Sequence, residues 1–212
     1  ARSSMVADAP VVDFGGSRLA GVGAGDISSV DSKDAVNGGQ LFATNARVGY
    51  LEDQQRYAAV GSDEYSQAAR AGWGGVAIGD TAEASVDGEG GTAVGSFSKA
   101  LADNSVALGR AAYVRADAVN GFALGTRSRV QAANGVALGA DTEVRAVATN
   151  GVALGYGSIA TEADTLSIGS DTLKRRIVNL GAGIADDNAT TVAQLKGALD
   201  VLGGGASIDA TG

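Results

Sequence analysis

Apolar tetrads closed by glycine recur through the middle of the chain: VAIG ending at Gly79, TAVG at Gly95, VALG at Gly109, FALG at Gly125, VALG at Gly139 and Gly155, and LSIG at Gly169. The intervals between the closing glycines alternate, running 16, 14, 16, 14, 16 and 14 residues. A catalytic motif is used once, whereas a fixed period builds a stack of like units. After each glycine, small or apolar residues stand at the third, fifth and seventh positions, as in Ser98, Ala100 and Ala102, or Ala112, Val114 and Ala116, or Thr142, Val144 and Ala146. Alternation at period two marks a strand with one buried face. The positions between are mostly polar, among them Glu83, Lys99, Tyr113, Arg115, Arg129, Gln131, Glu143 and Arg145. Each repeat is therefore expected to hold two short strands, one on the tetrad and one on the alternating stretch. The Asn and Gly that open NGVALG-type hexads belong at corners requiring positive φ.

Stacked units place equivalent residues about 4.8 Å apart, so that every backbone donor and acceptor pairs with the coil above or below. Such a stack sets Glu83 over Lys99 and Arg129 over Glu143, opposite charges in register. Each exposed pair contributes about 0–1 kcal/mol. The two extra residues of the longer repeats fall near Asp87, Ala118 and Ala148, where a turn absorbs them. The left-handed hexapeptide helix of acyltransferases is excluded, because neither 14 nor 16 is a multiple of six.

Two flanking segments also match each other. Arg18 to Leu41 and Arg176 to Leu195 both run from Arg through GAG to QL, the first being longer. After the first, Leu41, Thr44, Val48, Leu51, Gln55 and Ala58 form a short heptad seam, and Val192, Leu195, Leu199 and Leu202 begin another after the second.

Composition sharpens this picture. The chain has 33 glycines among 212 residues, one proline and only 5% aromatics. Its apolar content is thus mostly Ala, Val and Leu, which bury little area each at about 25 cal/mol per Å², so a one-chain core is thin and stacking or oligomerisation must compensate. The absence of Cys and His removes disulfides, thiolate sites and the commonest general base, and no enzyme is expected. A net charge of −8 argues against nucleic acid, although residues 91–150 carry six basic and four acidic side chains. No run of about 18 apolar residues suits a membrane span, and the N-terminus reads as no signal peptide, so any export or anchoring segment is expected outside these residues.

Several local features read as structure. The repeated asparagines (Asn104, Asn120, Asn134, Asn150) are expected to bond their own backbone in turns rather than form a ligand ladder. Asp87 and Glu89 lack the oxygen set of a calcium loop and read as a solvated loop, so no metal or cofactor is expected. The glycine runs lack the Lys-Ser/Thr of a phosphate loop, and Trp73 is expected to cap the first coil.

The hexads NSVALG at Asn104, NGFALG-TRS at Asn120 and NGVALG-YGS at Asn150, together with DAVNGGQL (Asp34 to Leu41) and TTVAQL (Thr190 to Leu195), resemble the head repeats and necks of the trimeric autotransporter adhesins, with a head of the Yersinia adhesin type. The resemblance implies an all-β solenoid, a trimeric left-handed parallel β-roll, with neck segments and short coiled-coil stalk pieces. It implies the end of a preceding module at 1–16, a long neck at 17–41, a coiled coil at 42–60, the roll at 61–170, a short neck at 171–195 and the start of a further module at 196–212. Ala112 and Thr142 replace the serine of the family motif, and the 16-residue repeats exceed its usual length.

The implied protein is a homotrimeric bacterial surface adhesin, extracellular and anchored to the outer membrane elsewhere, whose partners are host matrix proteins or glycosaminoglycans. This segment itself would touch no membrane. The candidate adhesive surface is Lys99, Tyr113, Arg115, Arg129, Glu143 and Arg145, although the same positions suit a solvated face that keeps the strands soluble. A spacer within a long fibre is the alternative reading, and a solenoid enzyme with an intersubunit site is a more distant one.

Overall fold

A computed structural model describes residues 15–55 and 59–203, in two units divided between Val60 and Gly61. Most of the expected preceding module, the Ala58 position of the first seam and the last nine residues of the expected next module lie outside the described residues.

In the first unit, helix α1 (Gly38–Gln55) starts at a reciprocal cap. The Gln40 backbone N–H donates to Asn37 Oδ1 at 3.0 Å, and the Asn37 N–H donates to Gln40 Oε1 at 3.1 Å. The seam residues Leu41, Val48 and Leu51 are exposed.

The second unit is a parallel β-solenoid of fourteen described strands in two sheets. Sheet A stacks β1 (Arg70–Trp73), β3 (Glu83–Glu89), β5 (Lys99–Ala100), β7 (Tyr113–Val114), β9 (Arg129–Val130), β11 (Glu143–Val144) and β13 (Ile159–Ala160). Sheet B stacks the tetrads: β2 (Val76–Ile78), β4 (Thr92–Val94), β6 (Val106–Leu108), β8 (Phe122–Leu124), β10 (Val136–Leu138), β12 (Val152–Leu154) and β14 (Leu166–Ser167). Strand β1 lies before the first tetrad and was not foreseen, because RAGW lacks the alternating pattern. Helix α2 (Val192–Leu202) follows the roll, capped by Thr191 and Gln194.

The interior between the sheets is narrow. The middle residue of each tetrad from Ala93 to Ala153 is fully buried, facing Ala84, Ala100, Val114, Val130, Val144 and Ala160. The largest fully buried side chains are the three valines, so Ala and Val rather than Leu or Phe fill the core. Backbone ladders supply what side chains do not: Val106 donates to the Gly121 carbonyl at 2.9 Å, and Gly109 to that of Val94 at 2.8 Å. At the third position after the closing glycine, Ser128 and Thr142 donate to the carbonyls of Gly125 and Gly139 at 2.9 and 2.7 Å, bonds that Ala112 cannot make.

The length alternation falls where expected, with one correction. In the 16-residue coils, Ala116 and Ala146 are exposed, not buried, and Val86 is only half-buried. The Ala118 and Ala148 N–H groups bond back to the carbonyls of Arg115 and Arg145 at 2.9 Å, so that the extra pair of residues bulges outward. Ala118 and Ala148 then take the inward place held by Ala102 and Ala132 in the short coils.

The corner that follows each tetrad turns through positive φ. The closing glycines Gly95 to Gly139 sit at φ 120–132°, a region essentially closed to other residues, and a Cβ on Gly125 would overlap the Gly139 backbone of the next coil. Two residues beyond the closing glycines, Phe97, Ala111, Arg127 and Asp141 also hold φ of 55–63°, a strain paid without glycine. The far end of the roll is closed by Arg175, whose guanidinium donates to Ser158 Oγ, the Ile168 carbonyl and the Tyr156 carbonyl. At the first coil, Trp73 stands 79% exposed and caps nothing among the described residues.

Candidate functional site

The six candidate residues lie on the outward face of sheet A in two columns. The first runs Glu83, Lys99, Tyr113, Arg129, Glu143 and Ile159, in direct strand register. The second, one alternation further along, contains Leu101, Arg115, Gln131, Arg145 and Thr161, because Leu101, Arg115, Gln131 and Arg145 each donate to the residue before their neighbour in the next coil. All six candidates are therefore brought onto one rigid surface. Two-residue alternation sets the columns, and coil stacking sets the spacing within them.

Their charges are largely engaged within the chain. Lys99 Nζ lies 2.9 Å from Glu83 Oε2. Arg115 forms a two-armed pair with Asp117, and Arg145 Nε lies 3.7 Å from Glu143 Oε2. Gln131 donates to the other oxygen of Glu143 at 2.8 Å. Arg129 differs: its guanidinium sits 5.8 Å from the centroid of the Tyr113 ring, a cation–π contact. The hydrogen bond from Arg115 holds the Asp117 carboxyl below its ordinary value of 3.8.

Sequence reasoning overlooked a second polar column at the other corner. There Arg127 forms a two-armed pair with Asp141, at 2.6 and 2.8 Å, which holds the Asp141 carboxyl low in the same way. Arg110 lies 5.8 Å from the Phe97 ring centroid, and Tyr156 is exposed nearby in the series. The pattern of +4 and +6 positions gave no signal for it, since its residues precede the alternating stretch.

The asparagines also behave differently from expectation. Asn120 Nδ2 donates to Asn134 Oδ1 at 3.0 Å, Asn134 to Asn150 at 3.0 Å, and Asn150 to Asp164 Oδ1 at 2.7 Å. Each holds φ of 55–58°, which aims its side chain along the stack rather than back at its own turn. A side-chain amide carries both donor and acceptor and can pass the bond from coil to coil. Near the first coil, Asp103 Oδ1 accepts the Glu89 N–H at 3.0 Å, and a hollow of 420 Å³ is lined by Arg70, Glu83, Val86, Asp87, Leu101 and Asp103 among others.

Sheet B presents the opposite character. The first and third tetrad residues point away from the interior, so Val76, Ile78, Leu124 and Leu154 are exposed and Val106, Phe122, Val136 and Leu138 half-buried. Register places like on like along both columns: Val106, Phe122, Val136 and Val152 in one, Leu108, Leu124, Leu138 and Leu154 in the other. A continuous apolar strip of this kind on one chain marks an interaction surface.

The family model described as the coiled stalk of trimeric autotransporter adhesin matches residues 18–63, and that of the YadA head domain repeat matches residues 87–112, 116–142 and 146–172. Together the matches cover more than half of the chain. Among solved structures, the crystal structure of the collagen-binding domain of Yersinia adhesin YadA is similar, with 30% identity and a TM-score of 0.49 over 66% of this chain and 90% of that one. No curated protein matches the chain.

Proposed function

Since the chain belongs to the trimeric autotransporter adhesins, we propose that it forms a homotrimeric surface module whose three rolls pack through sheet B and display sheet A for attachment to host matrix or cell surface. The observation that carries this reading is the contrast between the two outward faces. Sheet B offers apolar columns that no part of the described chain covers, and sheet A offers polar columns at fixed spacing. The bare seam of α1 asks for the same remedy, partner helices from two further copies. Cell-surface exposure follows the family.

Attachment in this reading comes from many weak contacts made together. Three copies of a rigid surface raise the effective concentration of each site for the next, and affinity accrues without a deep pocket. The surface residues proposed are Lys99, Tyr113, Arg115, Arg129, Glu143 and Arg145, with Arg129 and Tyr113 at the centre because, among the described residues, Arg129 rests on the Tyr113 ring while Lys99, Arg115 and Arg145 are each engaged by a carboxylate.

A spacer role is the second reading, favoured by the internal pairing of Lys99, Arg115 and Arg145, which leaves little free charge on sheet A. Binding of the purified protein to collagen, fibronectin, laminin and heparin, at low and high salt, separates the two. Attachment predicts saturable binding to at least one of them that the double substitution Arg129→Ser, Tyr113→Ser weakens at least fivefold. Binding to none favours the spacer.

A further inference from the structure

Two necks of different length carry the same side-chain lock. In the first, Gln40 Oε1 accepts the N–H groups of Asn37, at 3.1 Å, and of Gly25, at 3.0 Å, while its Nε2 donates to the Gly25 carbonyl at 2.7 Å. In the second, Gln194 Oε1 accepts the N–H groups of Thr191, at 3.1 Å, and of Gly183, at 2.9 Å, and its Nε2 donates to the Gly183 carbonyl at 2.7 Å. One amide thus caps a helix and closes a two-bond ring with a glycine peptide upstream. The sequence separations are 15 and 11 residues, yet the bonding is the same.

The glycine is the other half of the lock. A Cβ on Gly25 would overlap the Ala35 carbonyl oxygen, and one on Gly183 would lie 2.9 Å from that of Ala189. Only glycine lets the neck strand pass that close to the residues leading into the helix. The longer neck accommodates its extra residues outside the lock, in a loop whose base is closed by the Asp26 N–H donating to Asp34 Oδ2 at 2.9 Å. GAG and QL, the shared ends of the two flanking segments, are therefore two faces of one contact.

We propose that Gln40 and Gln194 are positioning residues that fasten the first turn of each stalk helix to its neck strand, so that neck folding and helix nucleation are one cooperative event. Nucleation is the costly step of helix formation, and a cap alone satisfies N–H groups without fixing where the helix starts relative to distant chain. The lock does both, and it operates whether or not sheet A binds a ligand.

Glutamate separates the two roles, because it serves as a capping-box residue but offers no N–H to the glycine carbonyl. Gln40→Glu and Gln194→Glu are made in the full chain and followed by hydrogen exchange with mass spectrometry. At neutral pH the protection factors of neck segments 22–26 and 181–185 should fall at least tenfold, with those of 92–160 unchanged. Lowering the pH to protonate the new carboxyl restores an O–H donor and should recover part of the loss. Gln→Met, which forfeits cap and clamp together, should lose more than Gln→Glu. Wild-type protection in the Glu variants would reduce both residues to ordinary caps and overturn the proposal. An equal loss of protection throughout the roll would overturn it as well, since the residue would then act on the whole fold.

Discussion

Sheets A and B are built from the same coils, enclose the same interior and share a parallel register, yet their outward faces are opposites. Sheet A stacks Glu83 on Lys99 and Arg129 on Tyr113, so its polar side chains satisfy one another within the chain. Sheet B stacks Val on Phe and Leu on Leu, and nothing in the described chain covers them. A solenoid with an Ala/Val interior cannot draw much stabilisation from inside. The difference between the faces is one of completion: sheet A is finished as a surface within the chain, whereas sheet B leaves its apolar columns uncovered among the described residues.

The most damaging way to test that difference is to put a charge on each face. Val136→Glu with Leu138→Glu places carboxylates in the middle of the apolar columns. If copies of the chain cover that strip, each uncompensated buried charge costs about 3–5 kcal/mol, and three chains contribute. Sedimentation should show loss of the assembly, whereas Gln131→Glu on sheet A should leave its mass unchanged.

A smaller effect is expected at the corner joining the two faces. Asn134 holds φ at 55° and both accepts from Asn120 and donates to Asn150. Asn134→Gly keeps the conformation and loses the ladder, at about 1 kcal/mol per hydrogen bond. Asn134→Ala loses both and should cost about 1–2 kcal/mol more, since a Cβ disfavours the left-handed region. Thermal unfolding should rank wild type above Gly and Gly above Ala; equal stability of the two variants would make the ladder, not the backbone, the whole of the effect.

The smallest effect belongs to the exposed ion pairs. Asp117 and Asp141 have carboxyls held below the ordinary 3.8 by hydrogen bonds from Arg115 and Arg127. A group whose folded pKa is depressed contributes stability that is full above its unfolded pKa and lost as the pH falls through the folded value. A slight drop in melting temperature is therefore expected only below about pH 4, and Asp117→Asn with Asp141→Asn should flatten it.

Much of this was legible because it is periodic. Counting between glycines gave the coils, the two strands per coil and the registers of Glu83 on Lys99 and Arg129 on Glu143, all of which follow from a constant number of residues per turn. Local deviations were not legible. Ala116 and Ala146 look like inward residues by alternation, but the longer coils push them out, and only the tertiary position of Ala118 and Ala148 reveals this. Asn120 to Asn150 suggested turn chemistry because one sequence does not show that their side chains meet across coils. Trp73 illustrates the limit for single large residues: its apolar bulk suggested a cap, yet it stands in solvent on the first strand. For the candidate surface, sequence alone placed the six residues on one strand face but could not show which of their charges are already paired.

The most direct measurement is the native mass of the folded chain in solution, taken together with the exchange protection of sheet B. A species of three chains is expected, with the tetrad segments 106–108, 122–124 and 136–138 the most protected of the described residues. A stable single chain with native β-sheet content would contradict it, since the apolar columns of Val106, Phe122 and Leu138 would then face water without cost.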